Sequence, residues 1–205
     1  MSIIGLLISF ALLMIAMTVH EFAHGWLAYR LGDPTAKYSG RLTLNPLAHI
    51  DPIGTVLLPI VLFIATAGQF VFGAAKPVPI NYLSLKNPKT DMIWIGLAGP
   101  MANFLFAFLL SLPFRFFALS PVISFVINNL ILINVVLGVF NLIPIPPLDG
   151  SRVLTGILPT DMAESFARIE PFGFFIVLIL LWLGVFDIIV WPMVRIIVGL
   201  LKTPF

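Results

Sequence analysis

His20, Glu21 and His24 stand within five residues of one another in the stretch TVHEFAHGW, at the end of a run that begins at Ile3 and carries no charged side chain before Glu21. On a helix, residues four apart lie along one face. The two imidazoles can therefore be presented to a single metal ion, with Glu21 about a turn from His24 and beside the same point. A zinc ion held in this way lowers the pKa of its water to about 7, and a neighbouring carboxylate can take the proton as the water attacks a carbonyl. The HExxH pattern also arises by accident. Here an accident is disfavoured, because unpaired ionisable groups at membrane depth cost on the order of several kcal/mol, and the motif holds two of the chain's three histidines.

A catalytic zinc takes three protein ligands and keeps one position open. His49, Asp51 and Asp91 sit in polar or Pro-bounded segments, where loop roles account for them. Asp149 differs. It ends NLIPIPPLDG (141–150), after a long apolar run, where Pro144, Pro146 and Pro147 forbid continued helix and hold the backbone extended. Non-helical backbone at membrane depth is tolerated only where it is buried in protein or faces a water-filled cavity. Asp149 is thus the expected third ligand.

The elements that must position these residues follow from composition. Of 205 residues, 60% are hydrophobic and only 10% charged, against roughly 25% charged in a soluble domain. A membrane-spanning helix needs about 20 mostly apolar residues, and such runs occur at 3–29, 53–72, 92–112, 121–143 and 172–190. The expectation is an all-α polytopic membrane protein, a helical bundle forming one transmembrane domain over 1–205. The first run has no Lys or Arg ahead of it and no small-residue cleavage site, so it reads as retained rather than as a signal peptide. Net charge is +2 without a dense basic cluster, which argues against nucleic acid as a partner, and the absence of Cys excludes thiolate metal sites and disulfides.

Between the runs, Gly32, Asp33 and Pro34 signal a turn, and Arg41 to Asn45 alternate with the period of a strand. A short membrane-edge β segment is expected near 38–46. Residues 73–81, GAAKPVPIN, cannot be helical because of Pro77 and Pro79. Gly96 and Gly99 allow close helix approach, Pro100 is expected to bend or break its helix, and Asn103, Asn128, Asn129 and Asn134 offer amides for interhelical hydrogen bonds. The run at 172–190 is long enough to cross, followed by an interfacial tail carrying Trp191 and Arg195.

HExxH on the first helix, GLAGPMAN (96–103) on a middle one and NLIPIPPLDG on a later one together resemble the site-2 protease family of intramembrane zinc metalloproteases. The resemblance implies one zinc per chain bound by His20, His24 and Asp149, Glu21 as catalytic base, and Asn141 steadying the substrate or oxyanion. It further implies a compact member without a PDZ or regulatory domain, acting on a membrane protein or peptide substrate within the lipid bilayer of the plasma membrane.

Topology tests the metal site independently. His24 lies towards the C-terminal end of the first run and Asp149 beyond that of the fourth, so an even number of crossings must separate them. Three runs intervene, and 53–72, broken by Pro59 and Gly68, is expected to be re-entrant or bent. Arg30, Lys37, Arg41, Lys76, Lys86, Lys89, Arg152 and Arg168 then share one face, with only Arg115 opposite, as positive-inside bias prefers. The competing class is a transporter or other metal-binding membrane protein without hydrolytic activity, which would have no use for Glu21 between two ligands.

Overall fold

A computed structural model describes residues 3–65, 73 and 75–201 of the chain. The α-helices run, in order, α1 (Ile3–Leu31), α2 (Thr35–Tyr38), α3 (Leu58–Ala65), α4 (Pro88–Ser111), α5 (Pro113–Phe116), α6 (Pro121–Asn141), α7 (Asp149–Ile157), α8 (Thr160–Ala167), α9 (Gly173–Trp182) and α10 (Val185–Leu201). Among the described residues no strand occurs. Helices at Leu7–Leu31, Pro88–Phe116 and Pro121–Asn141 are long and apolar enough to cross a membrane. Thr160–Trp182 is so when α8 and α9 are taken together through the 3-10 turn at Glu170–Phe172. The chain is an integral membrane protein.

α4 is the centre of the bundle, packed by α1, α6 and α7, while α10 packs on α6. Lipid tails are as apolar as leucine, so burial alone does not hold such helices together; close packing and polar contacts must. Gly138 in α6 shows the first. A Cβ there would fall 2.6 Å from Phe104 Cε1, so the absent side chain is what lets the α4 ring lie against α6. Ala107 of α4, Ile131, Val135 and Val139 of α6, Val177 of α9, and Phe186, Val190 and Val194 of α10 form the main buried cluster.

Helix ends are set by local chemistry. α1 stops at Gly32, whose φ of 115° lies in the left-handed region that favours glycine. Asp33 follows, fully buried: its Oδ1 accepts from the Thr35 N–H and hydroxyl, and its Oδ2 accepts from the Asn81 N–H at 2.7 Å. This carboxylate ties the end of α1 to the segment 75–81, which has no helix or strand, as its prolines require. α4 opens with Pro88 in its first turn, and Asp91 Oδ2 accepts from the Asn87 N–H.

The structure departs from the sequence reading at three places. Residues 38–46 form no β segment, because their backbone donors are spent locally: the Arg41 and Leu42 N–H groups both go to the Ala36 carbonyl, and the Asn45 N–H goes to the Thr43 hydroxyl. Their neighbour 75–79 could not complete a ladder either, since Pro77 and Pro79 lack N–H groups. The apolar run 172–190 is two helices, divided at Gly184, where φ is 71°. α10 is accordingly no simple interfacial tail, since it buries Phe186, Val190 and Val194. Pro100 does not end α4, which continues unbroken to Ser111 within the packing of α1, α6 and α7. Of the run 53–72, residues 53–65 are described, as a π-helical turn at Pro52–Leu57 running into α3. Residues 66–72 lie outside the described residues.

Candidate metal centre

His20 and His24 project from one face of α1 towards α4 and α7, and both are buried. Asp149 reaches them from the first turn of α7, where the proline-rich segment after α6 delivers it. His20 Nε2 lies 2.9 Å and His24 Nε2 3.0 Å from Asp149 Oδ2, and the two Nε2 atoms are 3.0 Å apart. Three atoms with lone pairs converge, although they come from two places 125 residues apart in the chain.

Each ring is aimed by its second nitrogen. His24 Nδ1 faces the Ile95 carbonyl at 2.7 Å, and a carbonyl only accepts, so this nitrogen carries the proton. His24 Nε2 then offers a bare lone pair. His20 Nδ1 lies 2.6 Å from Asn103 Oδ1. Two bare imidazole nitrogens pressed against a carboxylate repel one another unless a cation sits among them. A tetrahedral zinc with bonds of 2.0–2.2 Å separates its ligand atoms by about 3.3 Å, close to the spacing here, so the donor set and its geometry fit zinc.

The carboxylate is directed too. Arg152, one turn along α7, donates through Nη1 to Asp149 Oδ1 at 3.1 Å, which leaves Oδ2 for the histidines.

Glycines make the room. A Cβ at Gly99 would fall 2.6 Å from His20 Nε2 and closer still to His24 Nε2, and one at Gly96 would fall 3.1 Å from the Asp149 carbonyl and 3.2 Å from Arg152 Cβ. The GLAGPMAN helix therefore forms the wall on which the histidines and α7 rest. Sequence reasoning assigned these glycines to packing, which is correct, but what they pack against is the site itself.

Glu21 has a partner of another kind. Half-buried, it accepts at Oε2 from the Val78 N–H at 2.8 Å. Val78 is the one residue of the Pro77–Val78–Pro79 stretch with an N–H to give, and it is buried against Gly25, where its Cγ1 would lie 3.0 Å from an added Cβ. The segment is anchored upstream by Arg41, which donates to the Ala48, Lys76 and Pro77 carbonyls, and by the Lys76 N–H, which donates to the His49 carbonyl. No signal in the sequence pointed to Val78, because a main-chain donor leaves no residue type to read.

The other candidates take local roles. His49 is buried with Nε2 donating to the Thr43 carbonyl, Asp51 accepts from the Gly54 N–H, and Asp91 caps α4. The Asn141 side chain donates to the Leu137 carbonyl, one turn back in α6. Asn129 likewise bonds within its own helix, to Phe125, whereas Asn134 reaches Asn103 across helices.

Comparison with known proteins agrees with this geometry. The chain is 36% identical to a Bacillus subtilis protein named "Putative zinc metalloprotease YwhC" over 192 residues, covering 89% of this chain and 84% of the relative. A Mycolicibacterium smegmatis protein named "Putative zinc metalloprotease Rip2" is 34% identical over 82% of this chain, which spans 64% of that relative. "Zinc metalloprotease MJ0392" of Methanocaldococcus jannaschii is 28% identical over 73% of this chain, which spans 34% of that relative. No solved structure matches the chain. The model for peptidase family M50 matches residues 8–122 and 115–184, which take in both histidines, Glu21 and Asp149. On that match and these relatives, the chain belongs to peptidase family M50, the site-2 protease family of zinc metallopeptidases.

Proposed function

We propose that the chain is an intramembrane endopeptidase in which His20, His24 and Asp149 hold one zinc ion and Glu21 is the general base. The observation that carries this reading is the convergence of two imidazole lone pairs and one carboxylate oxygen within 3.0 Å of one another, beside a glutamate on the same helical turn. Zinc bound there supplies polarisation of a peptide carbonyl and acidification of the attacking water. Glu21 takes the proton of that water and passes it to the leaving amine. With Oε2 held by the Val78 N–H, Oε1 is the oxygen that does so. Asn141 donates to the oxyanion once it releases the Leu137 carbonyl.

The substrates are transmembrane or membrane-anchored polypeptides of the plasma membrane, whose scissile carbonyls must leave their helical hydrogen bonds before attack. Residues 1–205 act as one catalytic domain. The segment 53–72 enters the membrane and returns without crossing, which keeps Lys76, Lys86 and Lys89 on the face that carries Arg30, Lys37, Arg41, Arg152 and Arg168. This leaves α4 and α6 as the two crossings between His24 and Asp149, the even number that their meeting requires. External labelling of cysteines placed at Lys76 or Lys86 would sink that topology.

The test of the activity is zinc content per purified chain together with cleavage of a single-span substrate in proteoliposomes. Near one zinc in wild type and in Glu21→Gln, with cleavage lost only in the variant, is expected. Zinc unchanged in Asp149→Ala would remove Asp149 from the site, and cleavage persisting in Glu21→Gln would remove Glu21 as base.

A further inference from the structure

We infer that Asn103 and Asn134 are positioning residues that set which nitrogen of His20 carries the proton, by a relay of side-chain amides running from α6 through α4 to α1. The inference rests on the reading of His20 as a zinc ligand. It is carried by an accounting of donors and acceptors that has one solution.

The accounting starts at the far end. Asn134 Nδ2 donates to the Leu130 carbonyl at 2.8 Å, and a main-chain carbonyl can only accept. Asn134 must therefore turn its oxygen inward, where it accepts from Asn103 Nδ2 at 2.7 Å. The other hydrogen of Asn103 Nδ2 goes to the Ala16 carbonyl at 3.1 Å, again an acceptor only. Both hydrogens of Asn103 are thus committed, and its oxygen is the atom that faces His20 Nδ1 at 2.6 Å. An amide oxygen cannot donate, so Nδ1 carries a proton, and the neutral ring that binds a metal then has its lone pair on Nε2, towards His24 and Asp149. Turning Asn134 over would oppose its oxygen to the Leu130 carbonyl and its N–H to that of Asn103, and turning Asn103 over would oppose its oxygen to both the Ala16 carbonyl and the Asn134 oxygen.

Burial gives the relay its force. Asn103 and Asn134 are fully buried and His20 nearly so, so no water can stand in for a missing partner, and a buried polar group left unpaired is costly. The two histidines reach the same result by different means. His24 uses a main-chain carbonyl of α4, whereas His20 needs side chains from two helices. The relay also links the metal ligand to α6, the helix whose C-terminal end leads to Asp149, so a displacement of α6 would disturb both sides of the site.

The test compares Asn103→Leu, Asn103→Asp and Asn134→Leu in detergent. One readout is zinc affinity by chelator competition; the other is the histidine ring ¹⁵N shifts of the zinc-free protein, which report the tautomer. Asn103→Leu should bind zinc about 10- to 100-fold more weakly, the usual effect of losing an outer partner of a metal-bound histidine, with the Nδ1–H tautomer of His20 no longer dominant. Asn103→Asp in its neutral form keeps an acceptor for His20 and a donor for Asn134, so it should stay within a few-fold of wild type; the loss in Asn103→Leu, which has nearly the same shape, is what a mere packing role would not predict. Asn134→Leu should weaken binding by up to about tenfold.

Wild-type zinc affinity and an unchanged tautomer in Asn103→Leu would overturn the relay while leaving the zinc site intact. Failure of the zinc reading would look different: wild type would bind no zinc, or His20→Ala would bind it normally. Should Asn103→Leu not fold, Asn134→Leu decides, and wild-type affinity together with a wild-type tautomer there overturns the relay.

Discussion

The same turn of α1 faces two unlike environments. His20 and His24 look into the bundle, where every partner is a helix residue: Asn103 and the Ile95 carbonyl on α4, and Asp149 on α7. Glu21, on the same turn, is held from the loop side, and its hydrogen bond comes from the main chain of a proline-flanked segment. Ligand geometry is therefore built on packed helices, while the proposed base is held by a loop whose own anchors are Arg41, Asp33 and the His49 carbonyl. Metal binding and hydrolysis should be separable by mutation, with the bundle side controlling the first and the loop side only the second.

The largest separation is expected at Glu21 itself. Glu21→Gln keeps the shape of the side chain and removes the base, so cleavage should fall by about 10²- to 10⁴-fold while zinc per chain is unchanged; parallel loss of zinc would erase the division. On the bundle side, Gly99→Ala places a methyl 2.6 Å from His20 Nε2, and the displacement should lower zinc affinity and activity together by about 10²-fold. Chelator competition checks the affinity. Zinc bound as in wild type would show that α4 can back away from α1.

Val78→Pro sharpens the comparison from the loop side. It removes one N–H from a segment already extended by its neighbours, and one hydrogen bond to a charged group is worth about 1.5 kcal/mol or more. A fall of about tenfold in kcat is expected, with zinc content and KM unmoved. If KM alone rises, the segment serves substrate binding and leaves Glu21 to itself. The smallest effect belongs to Arg152→Met. Its side chain is 33% exposed, so losing its ion pair with Asp149 should weaken zinc binding by only about threefold, measurable by the same competition.

The chemistry was legible early because its residue types are rare in this chain. With three histidines and nine acidic residues among 205, HExxH and an aspartate behind three prolines stood out, and α1, α4 and α6 lie where the apolar runs predict. The alternation of Arg41 to Asn45 misled, because period-two patterning presumes a partner strand and these residues instead fold back on Ala36. The run 172–190 misled for a related reason: apolarity announces membrane burial but is nearly blind to a single glycine at 184 that breaks the helix.

What the amino-acid sequence determined by itself was a helical membrane protein carrying the parts of a zinc site, since composition sets the solvent and residue type sets the chemistry. Only the tertiary structure decided how those parts are aimed. Gly99 clears space for two imidazoles, Val78 turns a main-chain N–H to Glu21, and Asn134 reaches His20 through Asn103. The reason is physical: hydrogen-bond direction and close approach depend on which atoms face each other, and in lipid those facing atoms come from helices far apart in the chain.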